Sequence, residues 1–153
     1  GALFSRVEPI VKSLRAAACE AVSYYVAALP PADPRHPLLS CRRDRLPRFA
    51  GSWSVRLTGA GFHSNHVHPA GWISSALYVC VPSAAERGEA DAGCLQIGQP
   101  QEGLNITLPP LQIVEPVAAR LVLFPSTMWH GTRPFDAGER MTVAFDVAPP
   151  LPA

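Results

Sequence analysis

From about Arg6 to Leu29 the apolar residues Val7, Ile10, Val11, Leu14, Ala18 and Val22 return every three or four positions, the period of one helix face. Pro9 falls in the first turn, where proline is tolerated, and Pro30–Pro31 stops the run. The spacing predicts a helix over 6–29. Residues 30–50, PPADPRHPLLSCRRDRLPRFA with Gly51 beyond, are proline-broken and basic and read as a solvated loop. After Gly51 the period shortens. SWSVRLTG, GWISSALYVCVP, GCLQIG, LNITLPP, ARLVLFPS and ERMTVAFDV are short, rich in β-branched and aromatic residues, and bounded by Gly or Pro. That pattern predicts strands. No long helical pattern separates them, so a parallel sheet with crossover helices is not expected. A helix followed by antiparallel strands predicts one mainly β domain over 1–153, a sandwich or jelly-roll over 51–148 with the helix packed on it. The closing APPLPA is expected to be extended and poorly ordered.

Composition narrows the class. The 153 residues are 48% hydrophobic and 16% charged, enough for a single core. A net charge of +1 leaves no electrostatic footprint for nucleic acid or an anionic membrane. No apolar run is long enough to span a bilayer, and the N-terminus lacks the order of a signal peptide. Cys19, Cys41, Cys80 and Cys94 form no CxxC pair and are expected to be reduced thiols in a cytoplasmic protein. Free sheet edges in such folds often pair, which makes a homodimer a candidate assembly.

The candidate chemistry lies in histidines. On a strand, side chains two apart share a face, so His66 and His68 of NHVHP would project together. Two imidazoles can hold a divalent ion if a third ligand comes from elsewhere and open positions remain. His130, after the apolar LVLFP, is the first candidate, and His63 is its competitor. In ERMTVAFDV alternation puts Arg140, Thr142, Ala144 and Asp146 on one face, against Met141, Val143, Phe145 and Val147 on the other. An arginine facing a barrel interior is costly unless it meets an anion. A buried pair with Asp146 is one answer. A small dicarboxylic ligand is the other, held by the planar guanidinium fork with help from the Thr142 hydroxyl. Leu77, Leu95, Leu121 and Leu123 are candidates to wall the cavity, and Trp72 with the Arg42–Arg48 stretch to line its entrance.

Taken in order, SWSVRLTGAGFHSNHVHP, SSALYVCVP, AGCLQIG, RLVLFPSTMWHGTRPF and ERMTVAFDV resemble the iron(II)- and 2-oxoglutarate-dependent oxygenases over about Trp53 to Val147. The resemblance implies a double-stranded β-helix, a cupin-like jelly-roll with the metal inside one mouth. It implies Fe(II) held by His66, His68 and His130, and 2-oxoglutarate gripped by Arg140 and Thr142, with Tyr78 as a further contact. It implies a dioxygenase that uses O2 to hydroxylate a substrate which the sequence does not identify. Position 68 departs from the pattern, being histidine where most relatives carry Asp or Glu, so the ligand set would be three histidines. Two rivals share these residues. One is a cupin-type three-histidine metalloenzyme that does not use 2-oxoglutarate. The other is a non-catalytic jelly-roll binding module.

Overall fold

The structure, a computed structural model, describes residues 2–150, so Leu151–Ala153 of the expected extended tail lie outside the described residues. A 3-10 turn at Leu3–Ser5 precedes α1 (Pro9–Ala27). The strands are β1 (Phe49–Thr58), β2 (His63–His66), β3 (Ile73–Cys80), β4 (Leu95–Ile97), β5 (Gln112–Val114), β6 (Leu121–Pro125), β7 (His130–Thr132) and β8 (Glu139–Val147). A single-turn helix, α2 (Ala84–Arg87), lies between β3 and β4.

The strands form two antiparallel four-stranded sheets, ordered β1-β8-β3-β6 and β2-β7-β4-β5. Every step along the chain crosses from one sheet to the other, except β4 to β5, which pair as neighbours. That winding is the double-stranded β-helix, and the mainly β expectation holds.

The β1-β8-β3-β6 sheet buries both faces because its strands alternate. Val143, Phe145 and Val147 of β8 join Ile73 of β3 in a core that also holds Ala18, Val22 and Val26 of α1. Burial of each large apolar side chain here contributes about 1.5–3 kcal/mol, so apolar contact binds the helix to the sheet. Phe4, from the 3-10 turn that the periodicity did not predict, stacks edge-on against Phe49 at 4.8 Å between ring centroids. The opposite face of the sheet, with Ala76 of β3 and Phe124 of β6, packs on Leu95 and Ile97 of β4.

Several expectations need correction. The helix begins at Pro9 rather than Arg6, and its core-facing stripe runs through the partly buried Val11 and Leu14 to the buried Ala18, Val22 and Val26. Val7 precedes the helix, and Ile10 sits about 100° round from Val11, so both are exposed, at 75% and 77%. LNITLPP forms no strand. Gly103 and Asn105 adopt left-handed backbone and Pro109–Pro110 follow, so pairing resumes only at Gln112. Leu77, Leu121 and Leu123 pack on the helix side of the sheet and do not wall the space between the sheets. Trp72 is buried, its indole N–H donating to the Leu38 carbonyl at 2.9 Å, and so lines no entrance.

The basic loop is only partly the solvated surface its composition predicts, because Leu38 is buried in the core beside α1, with Leu39 and Cys41 packed against it. Arg42 pairs with Asp44, while Arg43 donates to the Leu29 carbonyl just beyond α1. Ala148, first residue of the expected loose tail, is instead buried and donates its N–H to the Arg48 carbonyl. All four cysteines are free thiols. Among the described residues no helix is long and apolar enough to cross a membrane.

Candidate metal and cosubstrate site

His66 ends β2 and His130 opens β7, and the antiparallel register sets the two directly opposite each other. Their ring centroids are 4.3 Å apart. So close an approach of β2 and β7 depends on Gly131: a Cβ there would lie 2.3 Å from Asn65 Oδ1 and 2.7 Å from the His63 carbonyl oxygen. Asn65 points away from the histidines, accepting a hydrogen bond from Gln96 Nε2, as strand alternation requires.

His68 lies two residues past the end of β2, so shared strand alternation does not bring it to His66. The loop is held another way. The His68 N–H donates to the Ser126 carbonyl at 2.9 Å, and the Gly71 N–H donates to the His68 carbonyl at 3.0 Å. The result is a cluster in which one ring nitrogen from each of His66, His68 and His130 lies within 4.8 Å of the others.

The tautomers follow from the neighbours. Nδ1 of His66 faces the Ser64 carbonyl at 2.8 Å, and Nδ1 of His130 faces the Met128 carbonyl at 3.0 Å. Nδ1 of His68 faces the Asp146 carboxylate at 2.8 Å. Carbonyl and carboxylate oxygens only accept, so each Nδ1 carries a proton, and the neutral form of each ring then keeps its lone pair on Nε2. Three neutral imidazoles with free Nε2 atoms are a ligand set for a divalent transition metal.

Burial holds the His130 imidazole well below its usual range, at about 4 against 6.5, although the Met128 carbonyl pulls it upward. Between those values the unfolded chain binds a proton that the native state refuses, so acid favours unfolding across that window. The metal-free protein should therefore lose stability as pH falls from about 6.5 to about 4, this residue contributing on the order of 3 kcal/mol, and lose no more through it below that. Urea midpoints at successive pH values measure the effect. His130→Gln should flatten that part of the profile, and an equally steep profile in the variant would assign the dependence to other groups.

Arg140 of β8 reaches the same space. With Thr142, Ala144, Leu95 and Phe124 it lines a cavity of about 130 Å³ that also takes in His66, His68 and His130. Arg140 is 2% exposed, makes no salt bridge with a described residue, and leaves Nε without a hydrogen-bond partner. Tyr78 of β3 sits behind it, its ring centroid 5.0 Å from the Arg140 Cζ and its buried hydroxyl also unpartnered. Burial lowers the Arg140 pKa and raises that of Tyr78. An unpaired buried guanidinium beside orphaned donors is what an anionic ligand would satisfy.

The six residues expected to hold the metal and cosubstrate thus lie together: His66, His68, His130, Arg140 and Thr142 on the cavity, and Tyr78 behind Arg140. His63 also lines the cavity but stands outside the three-histidine cluster, and burial followed by the Arg140 charge lowers its pKa. The Arg140–Asp146 pair does not form, because Asp146 bonds His68. What the sequence reading missed is this Asp146 contact, together with Ser74, whose hydroxyl donates to Asp146 at 2.7 Å. The alternation of β8 had already put Asp146 on the cavity face.

Residues 51–146 match the family described as "Putative 2OG-Fe(II) oxygenase". No curated protein matches the chain. Among solved structures, a prolyl-4-hydroxylase from Pseudomonas putida is 21% identical, over 65% of this chain and 51% of its own, with a TM-score of 0.49. An oxidoreductase of the 2OG-Fe(II) oxygenase family from Burkholderia pseudomallei is 15% identical over 67% and 44%, with a TM-score of 0.50. HygX from Streptomyces hygroscopicus, with nickel and 2-oxoglutarate bound, is 16% identical over 67% and 58%, with a TM-score of 0.49. This chain spans about half the length of these solved structures. The match over 51–146 takes in β2, β7 and nearly all of β8, the strands that carry the histidines and the arginine, and the chain belongs to the 2OG-Fe(II) oxygenase family.

Proposed function

We propose that the chain is an Fe(II)- and 2-oxoglutarate-dependent dioxygenase that hydroxylates a substrate C–H bond. The observation that carries this reading is Arg140: a buried, unpaired guanidinium on the same cavity as three imidazoles whose Nε2 atoms are free. His66, His68 and His130 would hold the iron through Nε2. Arg140 would grip the far carboxylate of 2-oxoglutarate, with Thr142 and Tyr78 adding hydroxyls. When bound, the iron and its cosubstrate supply the oxidative chemistry, in which O2 is reduced as 2-oxoglutarate becomes succinate and CO2 and the substrate is hydroxylated.

The chain's own residues prepare the site. Carbonyls and a carboxylate fix each imidazole's tautomer, so the neutral form of each ring offers Nε2 to a metal. Arg140 would orient the cosubstrate from β8, where burial in low dielectric strengthens its charge. Leu95 and Phe124 keep the cavity wall apolar, with the Phe124 ring tilted against that of His130 at 4.7 Å between centroids. Trp53, half-exposed on β1 with its ring 6.0 Å from that of His68, would border the approach to the metal.

Protein purified without oxygen and loaded with Fe(II) should bind 2-oxoglutarate and, on exposure to O2, convert it slowly to succinate without added substrate. Iron-loaded protein that neither binds nor turns over 2-oxoglutarate would reject the proposal. The three-histidine set also suits a cupin-type metalloenzyme, in which Arg140 would hold the substrate's own carboxylate, and the same assay separates the two. We also infer a cytoplasmic setting, which the four free thiols support.

A further inference from the structure

Three neutral imidazoles bring a metal no negative charge, whereas a divalent ion and Arg140 together bring three positive charges to one small cavity. A 2-oxo diacid answers two of them. The third has a counterpart immediately behind the histidines. The Asp146 carboxylate lies 2.8 Å from His68 Nδ1, and among the described residues no other acid bonds any of the three imidazoles.

This contact is built from both sides. The fully buried Ser74 hydroxyl donates to Asp146 Oδ1 at 2.7 Å and lies 2.9 Å from the Ser126 hydroxyl, itself fully buried. Ser126 in turn accepts the His68 backbone N–H through its carbonyl, so one residue steadies the loop carrying His68 and the serine pair that braces Asp146. Gly71 lets the loop close over this turn, since a Cβ there would lie 2.5 Å from Ser126 Oγ. Asp146 is carried on β8 six residues beyond Arg140, on the same face.

We propose that Asp146 is a positioning residue that supplies the metal site's negative charge at one remove, through the His68 imidazole. Accepting the Nδ1–H both fixes the His68 ring and raises the electron density that Nε2 offers an ion. A carboxylate that bonded the ion directly would add its charge without an intervening ring. Here the ring occupies the ligand position and the charge stands behind it. The inference rests on the reading of His66, His68 and His130 as metal ligands.

Cobalt(II) binding to the purified protein tests it without turnover. Asp146→Asn keeps the shape and one acceptor oxygen while removing the charge, so it should raise the cobalt Kd about ten- to hundredfold and shift the visible absorption of the bound ion. In a His68→Ala background the same substitution should change the Kd less than about threefold, because the route through the ring is gone. A wild-type Kd in Asp146→Asn would overturn the proposal, as would a loss that persists undiminished without His68. If Asp146→Asn does not fold, Ser74→Ala keeps the carboxylate and removes its hydroxyl donor. That variant should raise the Kd about two- to tenfold, and an unchanged Kd would count against the proposal. Failure of the wild type to bind cobalt through His66 and His130 would defeat the ligand assignment itself. Normal 2-oxoglutarate turnover alongside an indifferent Asp146→Asn would defeat only this inference.

Discussion

Arg140→Ala should weaken 2-oxoglutarate binding by about 2–4 kcal/mol, roughly thirty- to a thousandfold, and leave the metal content unchanged. The size follows from the environment. The guanidinium is buried, so its bond to a carboxylate is not diluted by water, and truncation leaves the ligand's charge unmatched in the same pocket. Arg140→Met makes a second, opposite prediction for stability. Without ligand the native protein carries an arginine with no counterion among the described residues and an unpartnered Nε. Replacing it with an apolar side chain of similar length should stabilise the ligand-free protein by about 1–3 kcal/mol while abolishing cosubstrate binding. Calorimetric titration of 2-oxoglutarate and thermal melting of the metal-free protein measure the two effects. Equal cosubstrate affinity in Arg140→Ala would remove Arg140 from the site. A melting temperature lowered by Arg140→Met would mean that its charge is already compensated within the fold.

The second large effect is expected at the metal. His130→Ala should weaken cobalt or iron binding by more than about a hundredfold, beyond the range of residues that stand behind ligands. His63→Ala should change the affinity less than about threefold, because His63 lines the cavity yet lies outside the cluster of close ring nitrogens. The contrast decides between the two histidines that the sequence left in competition. A His63→Ala loss as large as that of His130→Ala would require a different ligand set.

Much of this was legible in order along the chain. Strand alternation in ERMTVAFDV separates Arg140, Thr142 and Asp146 from Val143, Phe145 and Val147, and the fold uses those two faces for the cavity and for the helix. Alternation is a local property of extended backbone, so it survives whatever the strand pairs with. The helix was equally readable, but its first turn was not. Val7 and Ile10 fit the three- and four-residue spacing, and only the direction of the sheet beneath decides that Val11 and Leu14 are the pair turned toward the core.

The leucines show where periodicity stops. Leu77, Leu95, Leu121 and Leu123 are equally apolar, yet Leu95 alone faces the cavity, because the side each strand turns inward depends on register and on which sheet it joins. LNITLPP has strand composition and forms none, since left-handed backbone at Gly103 and Asn105 turns the chain before pairing can begin.

At the site itself, local sequence already supplied the ligand types and the arginine. Residue chemistry is independent of fold: an imidazole can ligate and a guanidinium needs an anion wherever they stand. Tertiary structure decided their mutual distances. His66 meets His130 through the register of β2 and β7, and His68 joins them through loop hydrogen bonds rather than strand geometry. It also decided the partner of Asp146, 78 residues from His68 along the chain. From sequence that carboxylate could equally have neutralised Arg140. Only the packing of β8 against the loop after β2 gives it to the imidazole, because a contact between distant residues is fixed by how strands are laid together and not by any local preference.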